Sequence, residues 1–351
     1  MQRVLVTGAT GFIGGHLVEA LLRQGVEVRC LARPTSNTNR LAELDVTLCA
    51  GDVTDPHGLE EAIDGTDVVF HVAGLTTALS KRAMWRVNRD GAATVATACS
   101  RQQRPPTMVL VSSVAAAGPA DQSTARCETD SAAPVSIYGR SKRAGELAVE
   151  QFAGTFPITV VRPGIIFGPR DRLTLPIFKT IATWGIHPLV GLGRTKISLL
   201  HVADLIELLL AAAESGERLP APSNAQPAGT GIYFAADEVA PSYRELGLLI
   251  AKAMQRRVIP LPTPPACAWT AAAISQLASQ LIRRTTPFNL DKIREATQAS
   301  WAITPAKATR QLGWLPGAPL EARLRETVDW YLAQKWMKVR RLFPAPNTDQ
   351  E

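Results

Sequence analysis

The sequence lacks paired cysteines, long apolar runs, internal repeats and low-complexity tracts, and each absence excludes something. Five cysteines occur in 351 residues: Cys30, Cys49, Cys99, Cys127 and Cys267. Their number is odd, they are scattered and no CxxC pair is present. That argues against a disulfide framework or a cysteine zinc site and for a reducing compartment. No metal-binding set is expected. No run of about 18 uncharged apolar residues appears, so no transmembrane span is read. Met1 is followed at once by a strand-like Arg3-Val4-Leu5-Val6 and a glycine loop, so no secretory leader is read either and a cytoplasmic location is expected. With 46% hydrophobic and 20% charged residues the composition is globular, which excludes wholesale disorder and, with 25 Gly, a collagen-like chain. At about 100–200 residues per domain the length implies about two domains, or one enlarged α/β domain.

Charge is present but unevenly spread. The net charge is +7, with −1 in residues 1–160 and +8 in residues 161–351. A basic second half attracts an anionic substrate or acidic lipid headgroups, or is simply a solvated surface. Nucleic acid is not expected as a partner, because no recognition motif accompanies the charge.

The first half alternates strand-like and helix-like segments, as a parallel sheet built from βαβ units requires. Strands are expected at Arg3–Thr7, Val26–Leu31, Val46–Cys49, Val68–Val72, Met108–Val111 and Ile158–Arg162. Helices are expected at Phe12–Gln24, Leu59–Asp64, Asp90–Arg101 and Ser136–Phe156. Beyond Pro163 the pattern is less regular, with an amphipathic helix at Val202–Glu214, a short strand at Ile232–Phe234 and a Ser242/Glu245 capping box opening a helix to Lys252. The expected fold is α/β, a doubly wound parallel sheet with a smaller, mainly C-terminal substrate-binding domain. Residues 1–170 with about 198–236 would form the dinucleotide-binding domain, about 171–197 with 237–343 the substrate-binding domain, and 344–351 a loose polar tail.

Two constellations carry chemistry. Thr7-Gly8-Ala9-Thr10-Gly11-Phe12-Ile13-Gly14 lies between a strand and a helix. Glycines there let the backbone approach a pyrophosphate whose charge the helix N-terminus stabilises. In Tyr138-Gly139-Arg140-Ser141-Lys142 the i,i+4 spacing puts a phenol and an ammonium on one helix face. A cation beside a phenol favours phenolate, which makes the tyrosine a usable acid or base near neutral pH. Ser113 lies 25 residues earlier, at the carboxyl end of an apolar strand, where an open α/β sheet presents a catalytic hydroxyl.

Together these segments resemble the extended short-chain dehydrogenase/reductase superfamily, in the NAD-dependent epimerase/dehydratase family. The resemblance rests on Thr7–Gly14, Asp52-Val53, His71-Val72-Ala73-Gly74, Asn88, Ser112-Ser113, Tyr138 with Lys142, and Arg162-Pro163-Gly164. His201-Val202-Ala203-Asp204-Leu205 and Leu312-Gly313-Trp314 resemble later motifs of the superfamily, so it covers nearly the whole chain. It implies that Tyr138 is general acid for reduction or base for oxidation, and that Lys142 tunes it and binds the nicotinamide ribose. Ser113 would bond the substrate oxygen and Asn88 support a proton path. Gly8, Thr10, Gly11, Phe12, Ile13, Gly14, Asp52, Val53, Ala73, Gly74, Pro163, Gly164 and Ile165 would line the cofactor. His71 in this motif is structural. A homodimer through the Asp90–Arg101 and Ser136–Phe156 helices is also implied.

The second strand ends Cys30-Leu31-Ala32-Arg33, without the carboxylate that NAD-dependent members use to bind the ribose hydroxyls. Arg33, helped by Arg40 or Ser36, would instead pair with a 2′-phosphate. NADP(H) is therefore the preferred cofactor and NAD(H) the alternative. Ser113-Val114-Ala115 lacks the Asp-Glu pair of the dehydratases, and Arg33-Pro34-Thr35-Ser36 is similar to the 3β-hydroxysteroid dehydrogenase and dihydroflavonol reductase branches. The apolar stretch 266–282 places Trp269, Ala273, Leu277 and Leu281 every four residues on one face. It is either a lid or core helix, or a membrane-surface helix with Arg283, Arg284, Lys335, Lys338, Arg340 and Arg341 near headgroups on the inner side. The leading expectation is an NADP-dependent oxidoreductase acting on a hydrophobic small molecule. The runner-up is a nucleotide-sugar epimerase with tightly bound NAD, its diphosphate held by Arg170, Arg172 and Arg194. A non-enzymatic dinucleotide sensor is third.

Overall fold

Seven apolar segments of the computed structural model pair into one parallel sheet; the structure describes residues 1–223, 226–282, 285–286 and 288–339. The first six strands are β1 (Arg3–Thr7), β2 (Glu27–Ala32), β3 (Thr47–Ala50), β4 (Val68–His71), β5 (Thr107–Val111) and β6 (Ile158–Pro163). Around them run α1 (Phe12–Arg23), α2 (Asn39–Ala42), α3 (Leu59–Ile63), α4 (Lys81–Trp85), α5 (Gly91–Ser100), α6 (Val114–Ala117) and α7 (Ile137–Glu150). Next come β7 (Ile165–Phe167), α8 (Leu175–Trp184), β8 (Ile186–Val190), β9 (Lys196–Ile197), β10 (Leu199–His201), α9 (Val202–Ser215) and the last strand of the large sheet, β11 (Ile232–Ala235). The chain closes with α10 (Tyr243–Ala253), β12 (Ile259–Thr263), α11 (Pro265–Leu281), α12 (Leu290–Ala296), β13 (Ser300–Trp301), α13 (Ala306–Leu312) and α14 (Leu320–Ala333).

The sheet order is β11-β6-β5-β4-β1-β2-β3, the doubly wound arrangement expected. Every residue of β4, β6 and β11 is buried, because helices cover both faces of a parallel sheet. The strand period of two divides the core accordingly. Val4 and Val6 join a cluster with Leu17, Val18 and Leu21 of α1 and Leu205, Leu208 and Leu209 of α9. Leu5 instead joins Val95 and Ala96 of α5 and Val149 of α7. The order reverses between β1 and β4, so a crevice opens at their carboxyl ends, where such folds bind ligands.

The two late motifs meet in space. Trp314 Nε1 donates to the Asp204 carbonyl at 3.1 Å, and the buried Asp204 carboxylate accepts from Gly317 N at 2.9 Å and Arg323 Nε at 3.0 Å. This ties the start of α9 to α14.

Three local readings change. The helix expected from Asp90 is preceded by a π-helical turn, Arg86–Asp90, which carries Asn88 into the interior. Such wide turns recur where a side chain must be re-aimed at a site. The long helix expected to Phe156 ends at Glu150, and the chain continues in turns as Phe156 packs into the core. On α11 the covered residues are Ala268, Ala272 and Ser279, while Leu277 and Leu281 are 62% and 85% exposed. A four-residue spacing drifts about 40° per step against the 3.6-residue turn, so Trp269 and Leu281 lie about 120° apart and cannot share one contact line. Arg283, Arg284, Arg340, Arg341 and the 344–351 tail lie outside the described residues. Among the described residues no helix is long and apolar enough to cross a membrane, and no group of three or more His, Cys, Asp or Glu could hold a metal ion.

Candidate active site

The glycine loop leaves β1 with Gly8 at φ +73°, a left-handed conformation that disfavours side chains. A Cβ at Gly8 would lie 2.7 Å from the Ala73 backbone nitrogen, and one at Gly14 would lie 2.2 Å from the Gly8 carbonyl oxygen. Gly11 N–H donates to Gly8 O at 2.9 Å, closing the turn. Gly11 also stands at the N-cap of α1 without a side-chain cap, and the first turn carries no acid. Phe12, Ile13 and Gly14 thus open a helix whose amides are left for an anion. This cradle fits the pyrophosphate of a dinucleotide.

The remaining cofactor candidates lie at the carboxyl ends of the parallel strands. Thr7 Oγ1 is 2.9 Å from His71 Nδ1 and accepts from Ala73 N at 3.3 Å, locking the ends of β1 and β4 together. Burial, with the Lys142 charge adding to it, pushes His71 down to about 3, so its ring is neutral. Asp52 lies two residues past β3, where its Oδ1 accepts from Thr54 N at 2.8 Å, and Val53 beside it is buried. Pro163 ends β6, Gly164 N donates to Ala235 O at 2.9 Å, and Ile165 opens β7. Thr10 is exposed in the loop. Arg33 projects into solvent just past β2, and its guanidinium has no partner among the described residues. Arg40 is committed elsewhere: its Nε donates to Glu19 Oε1 at 3.0 Å.

The candidate reacting groups gather at one corner. Ser113 caps α6, its Oγ accepting from Ala115 N at 3.1 Å. Ser136 Oγ caps α7 in the same way, accepting from Gly139 N at 2.9 Å, which sets Tyr138 and Lys142 one turn apart. Tyr138 is half-buried, with the Ser113 hydroxyl beside its phenol. Lys142 is buried, its Nζ donating to the Val111 carbonyl at 2.7 Å at the end of β5. Burial pushes this ammonium down to about 8, against the attraction of Glu146. Asn88 Oδ1 accepts from Leu75 N at 2.8 Å, while its Nδ2 donates to Leu75 O and Ser141 Oγ, both at 2.9 Å. A Cβ at Gly74 would lie 3.2 Å from Asn88 Oδ1 and 3.5 Å from Lys142 Nζ, so Gly74, Asn88 and Lys142 share one wall.

The chain that builds this corner belongs to a known family. The sequence model of the NAD dependent epimerase/dehydratase family matches residues 4–225, well over half the chain. This protein is a member of that family. It is an NAD(P)-dependent enzyme of the extended short-chain dehydrogenase/reductase type. Relatives include the ceramide reductase of Caulobacter vibrioides, 32% identical over 338 residues covering 95% of this chain and 96% of the relative. The 4-hydroxy-2-methyl-3-oxo-4-farnesyl-3,4-dihydroquinoline-1-oxide ketoreductase of Stigmatella aurantiaca is 30% identical, covering 89% of this chain and 97% of the relative. The Thermus thermophilus UDP-glucose 4-epimerase in complex with NAD shares the fold, with a TM-score of 0.73, 23% identity, and coverage of 95% of this chain and 99% of that one.

Family motifs do not disclose what lies beneath and above α7. Below, the fully buried Glu146 accepts from Arg162 Nε at 2.8 Å and Nη2 at 2.7 Å, from Arg143 Nη1 at 3.0 Å, and from the Ser112 hydroxyl. Burial alone would raise its carboxyl, but Arg162 and the other partners hold it below the usual range. This network fixes β6 and α7 against each other directly under Ser113 and Lys142. Its sequence signal was available: Glu146 follows Lys142 by four residues on the same helix face. Above, α12 lies on the N-terminus of α7. Asp291 Oδ1 accepts from Ile137 N at 2.8 Å and Oδ2 from Tyr138 N at 3.1 Å, and Lys292 Nζ lies 5.0 Å from the Tyr138 ring centroid. Nothing in the local sequence connects residues this far apart in the chain.

Proposed function

We propose that this family member is an NADP-dependent reductase of a ketone carried on a hydrophobic molecule, reversible as an alcohol dehydrogenase. The observation that carries the reading is the juxtaposition of Ser113, Tyr138 and Lys142 at the carboxyl ends of the strands beside the glycine cradle. When bound, the nicotinamide supplies or takes up the hydride. Tyr138 gives its phenolic proton to the substrate oxygen, Ser113 donates a hydrogen bond that holds that oxygen, and Lys142 and Asn88 line the wall along which a proton from solvent returns to the phenoxide. The hydrophobic substrate class is supported by the names of the two curated relatives, a ceramide reductase and a farnesyl-quinoline ketoreductase. Preference for the 2′-phosphate is supported by Arg33, whose guanidinium is exposed without a protein partner where NAD-dependent members carry an acid.

The epimerase reading has less support. Arg170 Nη1 is held by Glu19 Oε1 at 2.8 Å and the Arg172 guanidinium lies 5.2 Å over the Trp336 ring, so two of the three arginines considered for a diphosphate are engaged elsewhere. The exposed Ile274, Leu277 and Leu281 of α11 support a further element of the proposal: this face rests on the inner surface of a membrane that holds the lipid-like substrate.

The experiment is a fluorescence titration with NADPH and NADH, followed by NADPH consumption with a panel of long-chain oxo-lipids and steroid ketones. The expected result is a preference for NADPH of about tenfold, the worth of one charge-assisted contact, lost in Arg33→Ala. Consumption should follow with a hydrophobic ketone. Equal affinities, or a protein isolated with NAD it does not exchange, would overturn the assignment in favour of the epimerase.

A further inference from the structure

The family spacing assigns the tuning of Tyr138 to Lys142, four residues along α7. The geometry adds a second cation. Lys142 Nζ is turned to the Val111 carbonyl at 2.7 Å, whereas Lys292, from a different part of the chain, places its Nζ 5.0 Å from the centroid of the Tyr138 ring. We propose that Lys292 is a positioning residue for the reaction, a cation carried by α12 that sets the acid strength of Tyr138, and that Asp291 seats it by capping the catalytic helix. This rests on Tyr138 being the proton donor of the proposed function.

Four observations show that Lys292 is held rather than merely near. Asn289 caps α12, its Oδ1 accepting from Lys292 N at 3.0 Å. Ile293 is buried against Ala268 and Ala272 of α11. The Glu295 carbonyl accepts from Trp301 Nε1 at 2.8 Å, fixing the far end of the helix to β13. The Lys292 ammonium itself is oriented by Glu295 Oε2 at 2.8 Å. Adjacent residues of one short helix therefore do two jobs: Asp291 accepts the amides of Ile137 and Tyr138, and Lys292 covers the ring of the same tyrosine.

The electrostatics follow from that placement. Burial pushes the Tyr138 phenol up; opposing it are first the Lys292 charge and then the Ser113 hydroxyl beside it, while Glu295 adds to the rise. The other charged groups around it are Asp291, bound to its backbone, and Lys142 on its own helix, with His71 and Glu146 behind Lys142. When Tyr138 gives up its proton the phenoxide keeps the electron pair of the broken O–H bond. A cation over the ring stabilises that negative charge more than it stabilises the neutral phenol. In the oxidative direction the same charge favours the phenolate that accepts the proton. Docking of α12 thus couples the far part of the chain to the strength of the acid.

The test reads the phenol directly. The chain has four tyrosines, and burial raises Tyr233, Tyr331 and, to about 12, Tyr243, so an ultraviolet difference titration against Tyr138→Phe isolates the Tyr138 phenolate. In Lys292→Met the Tyr138 titration should move alkaline by about one pH unit or more, because the lost cation no longer opposes burial and leaves Glu295 unbalanced beside the phenol. The pH profile of kcat for alcohol oxidation should move with it, KM should change less than about twofold, and Lys292→Arg should restore both. Lys292→Gln, which keeps a donor for Glu295, serves as the second neutral variant if Lys292→Met does not fold. A phenolate titration that stays in place in a folded neutral variant overturns the proposal. A titration that moves while the kcat profile stays unchanged would leave the charge coupling intact and refute Tyr138 as the proton donor instead.

Discussion

The glycine cradle and the α11–α12 segment bear on the same corner of the molecule in opposite ways. The cradle is a short run of residues, Gly8 to Gly14, in which backbone meets backbone, its own and that beyond β4: a Cβ on Gly14 would sit 2.2 Å from Gly8 O and one on Gly8 would sit 2.7 Å from Ala73 N. The α11–α12 segment is remote in sequence and reaches α7 through the side chains of Asp291 and Lys292. On its outer side it leaves Leu277 and Leu281 to solvent. In the proposed reading the cradle is the half that would hold the dinucleotide, and the α11–α12 segment the half whose outer surface is free to vary with the substrate.

Substitutions that sharpen this contrast should differ widely in effect. Gly14→Ala is expected to have the largest effect on binding. The new methyl cannot be relieved by a rotamer, so dinucleotide affinity should fall by about 100-fold or more and stability by about 1–3 kcal/mol, as overpacking against backbone costs. Calorimetric titration and thermal unfolding would show both, and near-normal affinity would contradict the fit of the cradle. Arg33→Ala, with about a tenfold loss confined to NADPH, lies between the extremes. The smallest change in stability is expected of the Leu277→Ser/Leu281→Ser double variant, within about 0.5 kcal/mol per site, because neither side chain is packed. Its binding to anionic lipid vesicles should nevertheless fall several-fold in a sedimentation assay. Unchanged vesicle binding would remove α11 from any membrane contact.

The same contrast explains what could be read from the sequence. The doubly wound sheet was legible because β1, β4, β5 and β6 are nearly uninterrupted apolar runs separated by helical patterns, and buried parallel strands require both. Ser113, Tyr138 and Lys142 could be named because i,i+4 spacing and position at a strand end are local properties, and the structure brings the three to one corner. Short elements such as β9 and β13 were not legible: two residues each carry no period, and their pairing depends on partners about a hundred residues away. The contact face of α11 was misread because the four-residue spacing of Trp269, Ala273, Leu277 and Leu281 looks like a stripe but drifts around the helix, and the smaller Ala268 and Ala272 pack inward instead. Asp291 and Lys292 gave no local signal at all. This Asp-Lys pair reaches the first turn of α7 only because α12 folds back on it.

The most direct test of the account is the turnover of Tyr138→Phe, measured together with its NADPH affinity. Removing one hydroxyl leaves the ring, the Lys292 contact and the glycine cradle in place. Cofactor affinity should stay within about twofold of the unaltered protein while kcat falls by about 100-fold or more, the loss expected when a general acid is deleted. Undiminished turnover with intact NADPH binding would contradict the assignment of Tyr138 as the proton donor.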